Sequence, residues 1–198
     1  MIFVKNLILK DLYIIKQWVF LIPIFLAIAL VLNNGTVSLA LALSIAISIR
    51  LIYNDDKIKG SFIINSLPVT RKEIIISKYI VSNLLIIFIA FSIILIHYIT
   101  YFKFPNLYTM NLSLKNILSF IFLSNIICAI IIPLYYSINN INILLLILFP
   151  LFFSPYHIST YLIPKLNFLN PIGIVLFLLI MYSSMHSSIR LFESMDIE

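Results

Sequence analysis

Hydrophobic and polar positions divide the chain into long uncharged stretches of Ile, Leu, Phe and Val and a few short charged clusters. A helix needs about 20 apolar residues to cross the hydrocarbon core of a bilayer, so the stretches 79–102 and 166–189 each hold one span. The longer stretches 17–49 and 116–164 each contain a polar turn signal, NNGT and SINNIN respectively, that divides them in two. The pattern predicts six spans, at about 18–32, 37–53, 75–101, 115–136, 141–156 and 168–190.

These spans are expected to be helices, because lipid offers no partner for an unpaired backbone amide and the runs lack the alternation of a transmembrane barrel. Composition agrees with this prediction. Hydrophobic residues make up 63% of the chain, charged residues 10%, and the mean hydropathy is +1.15. Soluble domains are roughly 45 to 50% apolar and about 25% charged. The predicted fold is an all-α integral membrane protein with a single transmembrane domain over residues 1–198.

Basic residues set the expected orientation, because Lys and Arg are retained on the cytoplasmic side of a membrane. With both termini in the cytoplasm, only Lys103, Lys115 and Lys165 of the thirteen basic residues fall outside. Richness in Ile, Asn, Lys, Phe and Tyr is associated with AT-rich bacterial genomes, so a bacterial plasma membrane is expected. All seven carboxylates fall on the cytoplasmic side and none within a predicted span, which disfavours ion-driven carriers, since these keep acidic residues at membrane depth.

Residues for catalysis, redox chemistry or metal binding are not grouped along this sequence. Its three glycines are isolated, so no glycine-rich loop can hold the phosphates of a nucleotide, and the chain is not expected to be its own ATPase. Cys128, in an apolar run, is expected to be a buried hydrophobe. No carboxylate stands at ligand spacing from His97, His157 or His186, so no metal site or catalytic residue is predicted. These histidines are expected at span ends, half in water.

Two features bear on a route across the membrane. Ser44 and Ser48 lie on the second span and are candidate pathway residues, although a serine in a membrane helix is first a small packing residue. The outer segment 149–171 contains four prolines, which suits either a kinked, re-entrant hydrophobic segment or a plain loop.

Residues 1–17 form a different kind of segment. On a helical wheel Lys5, Lys10 and Lys16 share a polar arc, apolar side chains occupy the opposite arc, and Asp11 lies at the edge between them. This pattern predicts an amphipathic interfacial helix on the inner leaflet. A secretory signal is the competing interpretation, but Asp11 and the long apolar run around it favour retention of the segment.

The stretch NSLPVTRKEI between the second and third spans carries a strong helix start signal. Thr70 and Glu73 have capping-box spacing, with Val69 and Ile74 at the two positions of a hydrophobic staple, so a helix is predicted to begin at Arg71. Before it, the short segment 61–67 exposes apolar side chains that it cannot bury alone. The segment is either a connecting loop on lipid headgroups or a docking element for another protein.

The stretch SLPVTRKEIIISKY at 66–79 resembles the corresponding loop of small six-span permease subunits of ABC-2 type exporters, especially those related to the bacterial exporter of phenol-soluble modulins. Span count, amphipathic N-terminus and the missing nucleotide motif agree with this resemblance. It implies that a cytoplasmic coupling helix lies between spans two and three and contacts the ATPase. The implied coupling residues are Gly60, Ser61, Phe62, Ile63, Ser66, Leu67, Pro68, Thr70, Arg71 and Glu73.

The resemblance also implies the partners of the chain. A homodimer in membrane lipid would bind two copies of a separate cytoplasmic ABC ATPase, with the N-terminal helix nearby. ATP and Mg would belong to that ATPase, no cofactor is expected in this chain, and no nucleic acid is expected as partner. The implied cargo is an amphipathic or hydrophobic peptide, with lipids and hydrophobic antibiotics as alternatives. The rival hypothesis is a non-transporting immunity or sensor protein that binds peptide within the bilayer.

Overall fold

The computed structural model describes residues 2–31, 36–57, 70–103, 114–138, 143, 144, 146 and 171–194. All regular secondary structure in this part of the chain is helical, which confirms the predicted all-α class. The helices are α1 (Ile2–Val31), α2 (Thr36–Lys57), α3 (Arg71–Lys103), α4 (Leu114–Ile138) and α5 (Pro171–Ser194). The predicted coupling residues before Thr70 lie in the stretch 60–69, which we call the coupling segment. This segment and almost all of the predicted fifth span, 141–156, lie outside the described residues.

Within the described ranges, three helices are long and apolar enough to cross a membrane: Arg71–Lys103, Lys115–Ile138 and Gly173–Ser194. They lie where the third, fourth and sixth spans were predicted. The two halves of α1, Val4–Gln17 and Val19–Ile28, add up to a fourth if they are taken as one broken span. The apolar part of α2, Ser38–Tyr53, is shorter.

The N-terminal segment continues directly into the first predicted span. Helix α1 bends by 43° between Gln17 and Val19, at the boundary predicted between the interfacial segment and the first span, and the interfacial position of residues 1–17 stays a prediction. Both halves bury the same stripe of side chains, because these residues recur at intervals of about four or seven. The buried stripe is Leu7, Asp11, Ile15, Ile22 and Leu26.

Helix directions follow from pairs of contacts with equal sequence separation. Asp11 contacts Lys78 and Leu7 packs with Ile74, so α1 and α3 run parallel. Ser44 and Ser48 on α2 contact Ser124 and Cys128 on α4, so these two helices are also parallel.

The same reasoning places α5 parallel to α4 and antiparallel to α3. Phe122 packs on Phe177, and two helix turns further along both helices Ser184 donates to the carbonyl of Ala129. Arg71 contacts the end of α5, whereas residues later in α3 contact earlier residues of α5. Helices α1 and α3 therefore run in one direction and α2, α4 and α5 in the other, while α3 packs against each of the other four.

The outward face of α3 is apolar along its length. Ile80, Leu84, Ile87, Phe91 and Ile94 are exposed at helical spacing. Its buried serines donate to carbonyls of their own helix, so they need no partner elsewhere; Ser92, for example, donates to Phe88 at 2.9 Å. A face of this kind suits contact with lipid.

Candidate coupling site at the start of α3

The first turn of α3 is held by the predicted capping box. The amide of Thr70 donates to Oε2 of Glu73 at 2.9 Å, and the amide of Glu73 donates to Oγ1 of Thr70 at 3.3 Å. The helix begins at Arg71, so both the cap and the helix start are confirmed. The amide of Glu73 also donates to the carbonyl of Thr70 at 3.0 Å, so both backbone and side-chain bonds close this turn.

The cap also favours the ionised form of Glu73. Hydrogen bonds from the backbone and then the side chain of Thr70 lower the pKa of the Glu73 carboxyl below its usual value. Because the pKa is lowered on folding, the contribution of the cap is present above the ordinary carboxyl pKa. It is lost as the pH falls through the lowered value.

Arg71 joins the start of α3 to the end of α5. Its Nη1 donates to the carbonyls of Phe192 and Glu193, both at 2.8 Å, and its Cζ lies 5.6 Å from the centroid of the Phe192 ring. The last four carbonyls of a helix receive no hydrogen bond from an amide of the same helix. The guanidinium group of Arg71 therefore satisfies carbonyls of α5 that would otherwise need water. The resemblance assigned Arg71 to ATPase coupling, and the structure gives it a contact within its own chain.

An apolar contact lies beside Arg71. Leu7 and Ile74 are buried together with the partly buried Phe192 packed on them, and the ring of Tyr136 lies 5.0 Å from that of Phe192. We call Leu7, Arg71, Ile74, Tyr136 and Phe192 the corner cluster. Four helices, α1, α3, α4 and α5, meet in it directly after the predicted coupling segment.

A buried ion pair involves a residue of α3 about two helix turns after Arg71. Nζ of Lys78 donates to Oδ1 of Asp11 at 2.9 Å, and each side chain is only 1% exposed. Lys78 also donates to the carbonyl of Leu51 at 3.0 Å, so it joins α1, α2 and α3. Burying two charges is costly unless each is well bonded, so these two residues strongly constrain the packing of the three helices.

The sequence pattern does not predict this pair. Asp11 was placed at the edge of the polar arc of a surface helix, and the structure buries it, because it occupies the apolar stripe between Leu7 and Ile15. Lys78 was counted only as a cytoplasmic cation. The available signal was the four-residue spacing of Asp11 from two buried apolar positions, but nothing local pointed to Lys78 as its partner.

Tyr79, the next residue, connects α3 to α5 and α4. Its hydroxyl contacts Oγ of Ser184 at 2.5 Å and Oγ of Ser188 at 3.1 Å. Ser184 in turn donates to the carbonyl of Ala129 at 2.5 Å. Residues 71–79 of α3 thus make polar contacts with α1, α2 and α5 directly, and with α4 through Ser184.

The candidate pathway serines lie at a helix contact. Ser44 contacts Ser124 at 3.4 Å between the two Oγ atoms, and Ser48 contacts Sγ of Cys128 at 2.9 Å. Both serines are buried between α2 and α4 of one copy, and their role in a pathway stays a prediction. Cys128 is buried, as expected.

Three other predictions concern the remaining polar residues. Lys5 and Lys16 are exposed on α1 and Lys10 is partly exposed, as the predicted polar arc requires. His97 was expected half in water, but it is buried because it continues the buried stripe of α3 beyond Ile93. No group of potential metal ligands occurs among the described residues.

The described helices, three of them long and apolar enough to cross a bilayer, are those of an all-helical membrane protein. The model of the family described as ABC-2 family transporter protein matches residues 6–193 of this chain. The chain therefore belongs to the ABC-2 transporter family and is a membrane permease of an ABC transporter. Curated proteins and solved structures give no match. Members of this family are generally transport subunits without their own ATPase site.

Proposed function

We propose that this chain is the permease subunit of an ABC exporter that forms a homodimer and is driven by two copies of a separate cytoplasmic ATPase. The ATPase binds the segment 60–69 and the adjacent corner, and the N-terminal helix lies nearby. The cargo is an amphipathic or hydrophobic peptide, and the resemblance of SLPVTRKEIIISKY to the loop of peptide-exporting relatives supports this class.

The observation that carries the proposal is the contact of Arg71 with the end of α5. Arg71 is the first residue of α3 after the coupling segment, and it holds the last turn of α5 through two hydrogen bonds of 2.8 Å. The Thr70–Glu73 cap fixes the chain direction at this point. A displacement of segment 60–69 therefore acts on α3 and α5 together and, through Leu7 and Ile74, on α1.

The helix directions support six spans. Because α4 and α5 run parallel, the end of α4 at Ile138 and the start of α5 at Pro171 lie at opposite ends of the bundle. A fifth span between α4 and α5 would account for this arrangement. The start of α1 and the end of α5 then lie on the same side, which the positive-inside rule assigns to the cytoplasm of a bacterial cell.

Co-purification of the ATPase tests the docking assignment. The variant Phe62→Asp places a charge on the coupling segment, and Phe102→Asp makes the same change at the opposite end of α3, where Phe102 is exposed. We expect Phe62→Asp to lower the recovered ATPase by roughly tenfold or more, as loss of an interface anchor does, while Phe102→Asp leaves it unchanged.

Two results of this co-purification would contradict the proposal. If full-length wild-type chain purified from its own membranes carries no ATP-hydrolysing subunit, the exporter proposal is wrong and the immunity or sensor hypothesis gains support. If the ATPase is recovered equally with both variants, segment 60–69 is not its docking site.

A further inference from the structure

We propose that the Asp11–Lys78 pair is a releasable latch, which parts during transport and lets the first half of α1 move away from α3. This inference deepens the proposed function and rests on it. The alternative is a static clamp that stays closed throughout the cycle.

The bonding of Asp11 favours release. Its Oδ1 is shared by Lys78 at 2.9 Å and by Lys10, on its own helix, at 3.3 Å. Its Oδ2 is buried and has no hydrogen-bond partner in the described part of the chain. A carboxylate in a static clamp would be expected to use both oxygens, because an unbonded buried polar atom costs free energy.

Each ion also keeps a partner after separation. Asp11 retains Lys10, which is 37% exposed and moves with α1, while Lys78 retains the carbonyl of Leu51 on α2. Separation of Asp11 from Lys78 therefore leaves each charged group with one polar partner. The remaining partners lower the cost of separating the pair, which a conformational change driven by ATP binding must supply.

The pair lies between a bend in α1 and the corner at the start of α3, so it has both a hinge and a connection to the ATPase side. The bend of 43° between Gln17 and Val19 lies directly beyond the pair, so the segment Val4–Gln17 can swing while Val19–Ile28 stays packed. On α3, Lys78 stands roughly 10 Å from Arg71 at the rise of an α-helix. Movement of the corner by the ATPase thus reaches the latch through one continuous helix.

Replacing both ions by apolar residues distinguishes a latch from a clamp. Apolar replacement of both members of a buried pair is often neutral or stabilising, so Asp11→Leu with Lys78→Met should fold and bind the ATPase normally. An apolar contact has no alternative partners on the separated helices, so it disfavours opening. We expect ATP-dependent uptake of a fluorescein-labelled amphipathic helical peptide into inverted vesicles to fall by about tenfold. Uptake at the wild-type rate would overturn the latch.

A reversible cross-link provides a second test that does not alter the ions. Cysteines at Leu7 and Ile74, in a Cys128→Ser background, are joined by a short thiol reagent that can be cleaved by reduction. We expect the cross-link to stop uptake and reduction to restore it. The matched control joins cysteines at Phe122 and Phe177, whose rings lie 4.7 Å apart between α4 and α5, and it should not change uptake.

These outcomes separate the two proposals. If the wild-type complex contains no ATPase or gives no ATP-dependent uptake, the proposed function is wrong, and the latch that rests on it is wrong as well. If the wild-type complex transports and the 7–74 cross-link does not inhibit it, only the latch is wrong. Equal inhibition by both cross-links would also overturn it, since general stiffening would then account for the loss.

Discussion

The two parts of α3 are held in different ways. Its first residues, Arg71 to Tyr79, make directional bonds to other helices: Arg71 to the end of α5, Lys78 to Asp11 and Leu51, and Tyr79 to two serines of α5. From Ile80 onward the pattern differs: the hydroxyls of Ser92 and Thr100, for example, donate to carbonyls of α3 itself. The packing of this second part is largely apolar.

This difference shows where the position of α3 is specified. Hydrogen bonds and ion pairs fix both register and angle, whereas apolar contacts in a membrane tolerate small shifts. The part nearest the coupling segment is therefore defined closely relative to its neighbours. Under the proposed coupling, force applied at the corner would be passed to several helices before it reached the apolar remainder of α3.

The largest expected effect comes from breaking the buried pair. Lys78→Met leaves Asp11 buried without its shortest contact, and we expect a loss of about 3 to 5 kcal/mol in the free energy of unfolding in detergent. Adding Asp11→Leu should recover most of this loss. A single variant as stable as wild type would show that Asp11 reaches water or another cation and would remove the contrast between the two parts of α3.

Arg71→Leu should have the next largest effect. It keeps apolar contact with Phe192 but removes two hydrogen bonds from a charged donor, for which about 2 kcal/mol is expected. Proteolysis of the C-terminus should become faster, because the last turn of α5 loses its cap. Unchanged proteolysis would mean that the end of α5 is held by the corner cluster without the guanidinium group.

Thr70→Ala tests the cap alone. The substitution removes the hydroxyl acceptor of the Glu73 amide, and we expect a loss of about 1 kcal/mol in local helix stability, measured by amide exchange in the first turn of α3. The difference between variant and wild type should shrink at acidic pH, because protonation of Glu73 weakens the cap in wild type. A pH-independent difference would contradict the role given to the carboxylate.

Ser92→Ala should have the smallest effect and serves as the reference from the second part of α3. Its hydroxyl bonds only to Phe88 of the same helix among the contacts described, so we expect a change of less than about 0.5 kcal/mol in the free energy of unfolding. A loss as large as that of Arg71→Leu would show that the second part of α3 is also fixed by specific polar contacts.

Local features of the site could be predicted from the sequence. Thr70 and Glu73 stand three residues apart, and their cap depends only on the backbone between them, so the helix start at Arg71 was predicted correctly. Apolar runs likewise predicted α3, α4 and α5 as spans, because the length of a bilayer crossing depends on the segment alone.

The sequence by itself determined the helical class, the apolar spans and the capped start of α3, since each depends on neighbouring residues and on the solvent around them. Only the tertiary structure decided that Asp11 meets Lys78 and that Arg71 caps α5, because these partners are 67 and 121 residues apart. Which two distant polar groups meet depends on how the helices pack. That packing is chosen by the whole set of apolar stripes, and no single segment encodes it.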